Sequence, residues 1–404
     1  MNDIIELNPD ERWVRVQPGV VLDELNAYLK PHSLLFAPDV ATSSRANIGG
    51  MIGNNSCGVH SLIYGKTINH ILELKVVLAD GTETLLGPVG EEEFASKAAQ
   101  QDLEGQIYRE VKRIARENSA EVERRFPKVM RRVSGYNLNE FINPAQIFDL
   151  SKIVVGSEGT LCVVVEAKLN IVELPRQTAV VACHFKGIVE SMEGTVESLK
   201  TSPAAIEMVD KILLDQTKGS IEYARNRSFL KGDPEALLFV EYYGDTEEEL
   251  WEKMDHLEEH LRGCNLGYAF VKALEADEQK KIWDLRKAGL GLLMGMKGDA
   301  KPLPFIEDAC IPVQHLSTYI REVLEICRNL GRPVAMYAHA SVGVIHVRPI
   351  LNLKQTEDLE ILKKISEQTF ELVVKYGGFW SGEHGDGLVR SFKNREFFGD
   401  ELYE

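Results

Sequence analysis

Residues 36–67 read FAPDVATSSRANIGGMIGNNSCGVHSLIYGKT. Five glycines, at 49, 50, 53, 58 and 65, interrupt this run, and little in it favours a helix, so it reads as a long loop. Glycine lets a backbone approach a ligand closely, and successive amides can cradle phosphate or ring oxygens. A segment this long without secondary structure inside a compact domain points to binding, and a dinucleotide suits it. The G-x-G-x-x-G fingerprint after a strand is absent, which disfavours a nicotinamide Rossmann site.

Around this loop, residues 1–175 hold short β-branched runs bounded by Gly, Pro and Asp: RWVRVQPGV, ILELKVVLADGT and KIVVGSEGTLCVVVEAKLNIVEL. They predict strands, with helices near 20–30 and 101–125, an α+β half. After ELPRQT the pattern changes to strands alternating with amphipathic helices. TAVVACHF, AAIEMVD, EALLFVEYYG, GYAFVKAL, FIEDACIP and RPVAMYAHASVGVIHVRP are the strand candidates, and DTEEELWEKMDHLEEHLRG is the clearest helix. Such alternation suits one sheet covered by helices, of the split βαβ kind.

The chain has 404 residues, 62 acids and 46 bases, for a net charge of −16. With no long basic run, nucleic acid and anionic membrane surfaces are poor partners. The N-terminus lacks the blocks of a secretory signal and no apolar run reaches membrane-spanning length, so a cytoplasmic protein, or one peripheral to a membrane, is expected. Six scattered cysteines without a C-x-x-C pair suit reduced thiols rather than disulfides or iron–sulfur ligation.

Two polar constellations stand out near the end. In MYAHASVGVIHVRP, a four-residue loop SVGV would pair Ala340 with Ile345 and His339 with His346, putting both imidazoles on one face. They could be two polar hairpin residues or two ligands of one divalent ion; Glu383 as a third ligand would leave an open coordination position. In GFWSGEHGDGLVRS, residues 378–391, Glu383 and His384 adjoin among glycines. They could be two ligands, a ligand and a base, or a polar turn. An extended backbone there would turn the two side chains opposite ways.

QPGVVLDELNAYL, ANIGGMIGNNSCGVHSLIYGKT, LKVVLADGT, RRVSGYNLNEF and VVGSEGTLCVVVEA, in that order, resemble the FAD-linked oxidases of the vanillyl-alcohol oxidase type, in the D-lactate, glycolate and D-2-hydroxyglutarate dehydrogenase branch. The resemblance implies an α+β chain: a partial PCMH-type FAD-binding domain over 1–175, an α/β cap domain with an antiparallel, ferredoxin-like sheet over 176–375, and a C-terminal segment, 376–404, returning to the active site. The pattern starts after the family's first flavin subdomain and stops before its closing segment, so the chain reads as an internal fragment of a longer flavoenzyme or as the product of a gene with a misread start.

Carried over residue by residue, noncovalent FAD contacts fall on Pro38, Asp39, Thr42, Ser43, Ile48, Gly49, Gly50, Asn54, Ser56, Gly58, Glu158, Gly159 and Thr160. Cys162 stands where the family usually has glycine. His339, His346 and Glu383 align with divalent-metal ligands, zinc first among the candidates, although AHASVGVIH replaces the family's GHxGDGNxH. Arg286 and Lys301, with Arg348 and Tyr136, would hold the substrate carboxylate, and His384 would be the base. The expected reaction is flavin-dependent oxidation of a D-2-hydroxy acid of the lactate, glycolate or 2-hydroxyglutarate type. The reduced flavin would pass electrons to a quinone, an electron-transfer flavoprotein or an iron–sulfur partner. A metal-dependent hydrolase or lyase using the same ligands, and an inactive fragment unable to retain FAD, are the competing readings.

Overall fold

The computed structural model describes residues 1–219, 223 and 225–404. They form two compact units: Met1–Pro127 with Val133–Leu174 and Glu383–Glu404, and Lys128–Arg132 with Pro175–Gly382.

In the first unit, β1 (Ile4–Asn8), β2 (Trp13–Val16), β3 (Ile71–Val77), β4 (Glu83–Leu86) and β5 (Val163–Asn170) make an antiparallel sheet in the order β1-β2-β5-β3-β4. Alternate residues such as Val14 and Val16, Leu74 and Val76, and Ala167 and Leu169 are buried, as a pleated strand with one core face requires. Helix α1 (Leu22–Leu29) adds Leu22, Leu25 and Leu29, one apolar stripe of its surface, to the same core.

Two expectations fail here. The glycine-rich run contains a helix, α2 (Ile48–Asn54), because Asn47 Oδ1 accepts the Gly50 amide at 2.7 Å and Ile48, Met51 and Ile52 form a buried face. A cap and three burials at helical spacing outweigh the poor propensity of three glycines. KIVV is not a strand: Ser151–Val154 is one helical turn whose first amide is capped by Asp149 Oδ1 at 2.9 Å, and the strand begins only at Val163.

In the second unit, β6 (Gln177–Phe185), α3 (Ile188–Leu199), β7 (Ala205–Asp210), β8 (Ala236–Gly244), α4 (Glu247–Gly263) and β9 (Ala269–Ala273) follow one another along the chain. Their antiparallel order β9-β6-β8-β7 is that of a ferredoxin-like split βαβ fold. The β7 edge is extended by β10 (Val334–His339), β11 (Val344–Leu351) and the two-residue strand Lys301–Pro302. FIEDACIP is not a regular strand; Cys310 makes isolated bridges to Val344 and Phe379.

The sheet has two different faces. Val180, Leu237, Phe239, Val209, Ala335 and Tyr337 point to the side covered by α5 (Ala276–Met294), which contributes Ile282, Leu285 and Leu293. On the other side α3 comes so close that a Cβ on Gly194 would lie 2.7 Å from the Phe185 ring. No helix among the described residues is long and apolar enough to cross a membrane.

Candidate functional site

The β10–β11 hairpin pairs His339 with Val344 and Tyr337 with His346, so the connecting loop is Ala340–Gly343, not SVGV, and the two histidines are not directly opposed. Gly343 decides this register: its φ is +78°, and a Cβ there would fall 1.9 Å from the Ile311 carbonyl oxygen. A left-handed residue closing a four-residue loop is a turn requirement that glycine meets without strain. The slip is two residues along one strand, and side chains alternate with period two, so both imidazoles still share a face. Their ring centroids are 5.2 Å apart and nearly perpendicular.

Each imidazole is oriented by its own carboxylate. His339 Nδ1 lies 2.8 Å from Glu207 Oε1, across the β7–β10 ladder where the two residues are partners. His346 Nδ1 lies 2.8 Å from both the carbonyl and Oε2 of Glu307. A carboxylate at Nδ1 settles the tautomer and makes Nε2 the nitrogen that can face a metal. Burial of Glu207 opposes its ionisation, but His339, Arg286 and Arg131 outweigh that and hold its pKa below the usual carboxylate value. Glu207 is therefore a buried anion.

The cations expected to grip substrate are engaged within this unit. Arg286 donates through Nε at 2.9 Å and Nη2 at 2.6 Å to Glu207. Arg348 donates to the Tyr337 hydroxyl at 3.1 Å and lies 3.5 Å from Glu307. Both guanidinium groups approach the Tyr337 ring, at 4.9 and 5.6 Å, and the His346 ring is 4.5 Å from it. Lys301 Nζ donates to the Met296 carbonyl. Sequence reasoning passed over Glu207, Glu307 and Tyr337. The available signal was an acid inside otherwise apolar runs, AIEMVD and FIEDACIP, where a buried carboxylate needs a charged partner.

Gly382 lies against the same hairpin. Its amide donates to the Asp308 carbonyl at 2.6 Å, and a Cβ on it would meet Val344 Cγ2 at 3.0 Å. In the first unit, the chain bends at Glu383 and His384 rather than running extended, so the two side chains do not point apart: His384 Nε2 is 3.0 Å from Glu383 Oε1. Asn54 Nδ2 donates to the Glu383 carbonyl at 3.0 Å, and Asp386 is held by Ser134 at 2.7 Å and Asn394 at 2.8 Å.

The first unit also joins its two glycine-rich motifs. The Gly156 amide donates to the Ile52 carbonyl and the Glu158 amide to the Gly53 carbonyl, both at 2.9 Å. Residues 48–54 and 156–160 thus share one wall, the second turning through positive φ at Gly156, Glu158 and Gly159. Asp39 lies against Gly58, where a Cβ would strike its carbonyl oxygen at 2.0 Å, and it holds His60 Nδ1 at 2.7 Å. Gly49 packs on Pro18, Ser56 donates to Asn54 Oδ1 at 2.8 Å, and Thr42 accepts the Arg45 and Ala46 amides through its carbonyl. The Ser43 carbonyl accepts the Asp23 amide, and Thr160 Oγ1 meets the Tyr136 hydroxyl at 2.9 Å.

Residues 174–404 match the family described as FAD linked oxidases, C-terminal domain, and residues 1–87 match an FAD binding domain. The chain belongs to the FAD-linked oxidases. It is 35% identical over 411 residues to a D-2-hydroxyglutarate dehydrogenase of Pseudomonas putida, a match covering 100% of this chain and 40% of that protein. It thus spans about two fifths of that relative's length. A glycolate oxidase subunit GlcD of Bacillus subtilis is 24% identical, with 97% of this chain and 70% of the relative covered. Among solved structures, a substrate-bound p-cresol methylhydroxylase aligns with a TM-score of 0.62 at 13% identity, covering 99% of this chain and 73% of that one, which shows a shared fold.

In this FAD-linked oxidase, Cys162 replaces the expected glycine without backbone strain, because it does not adopt a left-handed φ. It lines an apolar cavity of about 230 Å³ with Leu78, Leu86, Val111, Tyr136 and Leu161, and burial pushes its thiol pKa up to about 11.

Proposed function

We propose that this FAD-linked oxidase chain binds flavin and substrate for the oxidation of a D-2-hydroxy acid to its 2-oxo acid. The observation that carries this reading is the pair of imidazoles, His339 and His346, each oriented at Nδ1 by a carboxylate. Two histidines so aimed, with one further carboxylate, fit a divalent cation such as zinc and leave a position for substrate. Glu383 is that carboxylate: it follows Gly382, which packs on Val344, the residue paired with His339. The joined glycine-rich wall of residues 48–54 and 156–160 fits noncovalent FAD, with Pro38, Asp39, Thr42, Ser43 and Gly58 completing the contacts.

When bound, FAD supplies the hydride acceptor and the cation a Lewis acid at the substrate hydroxyl. His339, His346 and Glu383 would hold that cation. The Glu383 carboxylate beside Nε2 leaves Nδ1 of His384 to accept the hydroxyl proton and stabilises the imidazolium formed. Arg286, Lys301 and Arg348 orient the substrate carboxylate, and Arg286 exchanges part of its Glu207 pairing for it. Lactate, glycolate and 2-hydroxyglutarate are the substrate candidates. Re-oxidation falls to an external quinone, electron-transfer flavoprotein or iron–sulfur acceptor.

The test is anaerobic bleaching of the flavin absorbance by a panel of D-2-hydroxy acids. His384→Ala is expected to keep flavin and metal but suppress bleaching. Undiminished bleaching in that variant would remove His384 from the chemistry, and a colourless, metal-loaded protein with hydrolytic activity would overturn the oxidoreductase reading.

A further inference from the structure

The opposite face of the second unit carries a cluster that the proposed reaction does not use. Glu197 lies in the last turn of α3, while His260 and Cys264 stand one turn apart at the end of α4, with Cys264 as its C-terminal cap. His260 Nε2 is 2.9 Å from Glu197 Oε2, and the Cys264 thiol points at the same oxygen from 3.7 Å. One ligand atom from each residue lies within 4.8 Å of the other two. The neighbouring groups are Lys200, whose ammonium donates to the Glu197 oxygens at 2.7 and 2.8 Å, and His256, whose ring is 6.3 Å from that of His260.

We infer that Glu197, His260 and Cys264 form a second metal site, for zinc or another borderline-soft d-block cation, that clamps α3 to α4. One nitrogen, one sulfur and one oxygen donor suit such an ion and not magnesium or calcium, which demand oxygen-rich shells. Tetrahedral bonds of about 2.0–2.3 Å put ligand atoms roughly 3.3–3.7 Å apart, close to the 2.9 Å from Glu197 to His260 and the 3.7 Å from Glu197 to Cys264. The end of α4 adds the negative pole of a helix, which favours a cation. A thiolate and a carboxylate balance a divalent charge, so binding releases the Cys264 proton and leaves the site neutral. The 58% exposed Lys200 side chain has solvent into which to swing as its carboxylate turns to the metal.

Cobalt(II) is the probe, because a sulfur ligand gives it a near-ultraviolet charge-transfer band that the histidines and glutamates of the other site cannot produce. Cys264 is the exposed cysteine among six; Cys57, Cys183, Cys310 and Cys327 are buried and Cys162 is half-buried. Titrating the 404-residue protein should bring the band to its full height by two equivalents, one for each proposed site, and zinc should abolish it by displacement. Cys264→Ser should erase the band, His260→Gln should weaken cobalt binding by roughly tenfold or more, and Lys200→Ala should tighten it. No sulfur band in the folded protein, or a band surviving Cys264→Ser, would overturn the site and leave an ordinary Glu–Lys–His surface cluster.

Discussion

Replacing Glu207 by glutamine tests the arrangement behind the histidine pair most directly. The carboxylate is fully buried, accepts two bonds from the nearly buried Arg286 and one contact from His339. A charge pair separated by about 4 Å contributes about 4 kcal/mol at an effective dielectric constant near 20, set against several kcal/mol of desolvation per ion. Removing one partner of such a pair typically destabilises by about 3–5 kcal/mol, and glutamine keeps one acceptor oxygen, so a loss of roughly 2–4 kcal/mol is expected. Loss of the oriented Nδ1 partner should also weaken metal binding by about 10- to 100-fold.

Urea denaturation from about pH 3 to pH 8 reads the first effect and metal titration the second. The folded pKa of Glu207 lies below its ordinary 4.5, so its ionic stabilisation is fully present above that value and disappears as pH falls through the folded pKa. The gap between wild type and Glu207→Gln should therefore be constant near neutrality and close in acid. A variant equal to wild type in both stability and metal affinity at neutral pH would refute the reasoning.

Gly343→Ala places a methyl 1.9 Å from the Ile311 carbonyl at a φ of +78°; left-handed strain alone is about 1–2 kcal/mol, and the lower urea midpoint should come with loss of metal binding as the hairpin shifts. Tyr337→Phe removes the hydroxyl that Arg348 donates to, so about 1 kcal/mol of stability should be lost in thermal melts while the ring contacts to both arginines remain. Asn47→Ala deletes the cap of α2, with an expected cost of about 1 kcal/mol and weaker FAD binding in a fluorescence titration.

Local patterns made much of this fold legible. Near-continuous apolar runs in TAVVACHF, EALLFVEYYG and MYAHASVGVIHVRP, buried along most of their length, mark strands whatever their partners, and strand parity put His339 and His346 on one face even with the wrong loop assigned. Other features needed tertiary structure because their partners are distant in sequence. Glu207 reaches His339 from 132 residues away as its strand neighbour and Glu307 reaches His346 from a turn 39 residues away, and no local periodicity encodes either. The hairpin register depends on Gly343 fitting beneath the Ile311 carbonyl, and α2 on an asparagine cap and a face that only the core can bury. At Glu383 and His384 the sequence determined that two ionisable groups adjoin among glycines. The folded backbone decided that they meet rather than diverge, because it bends there and strand alternation no longer applies.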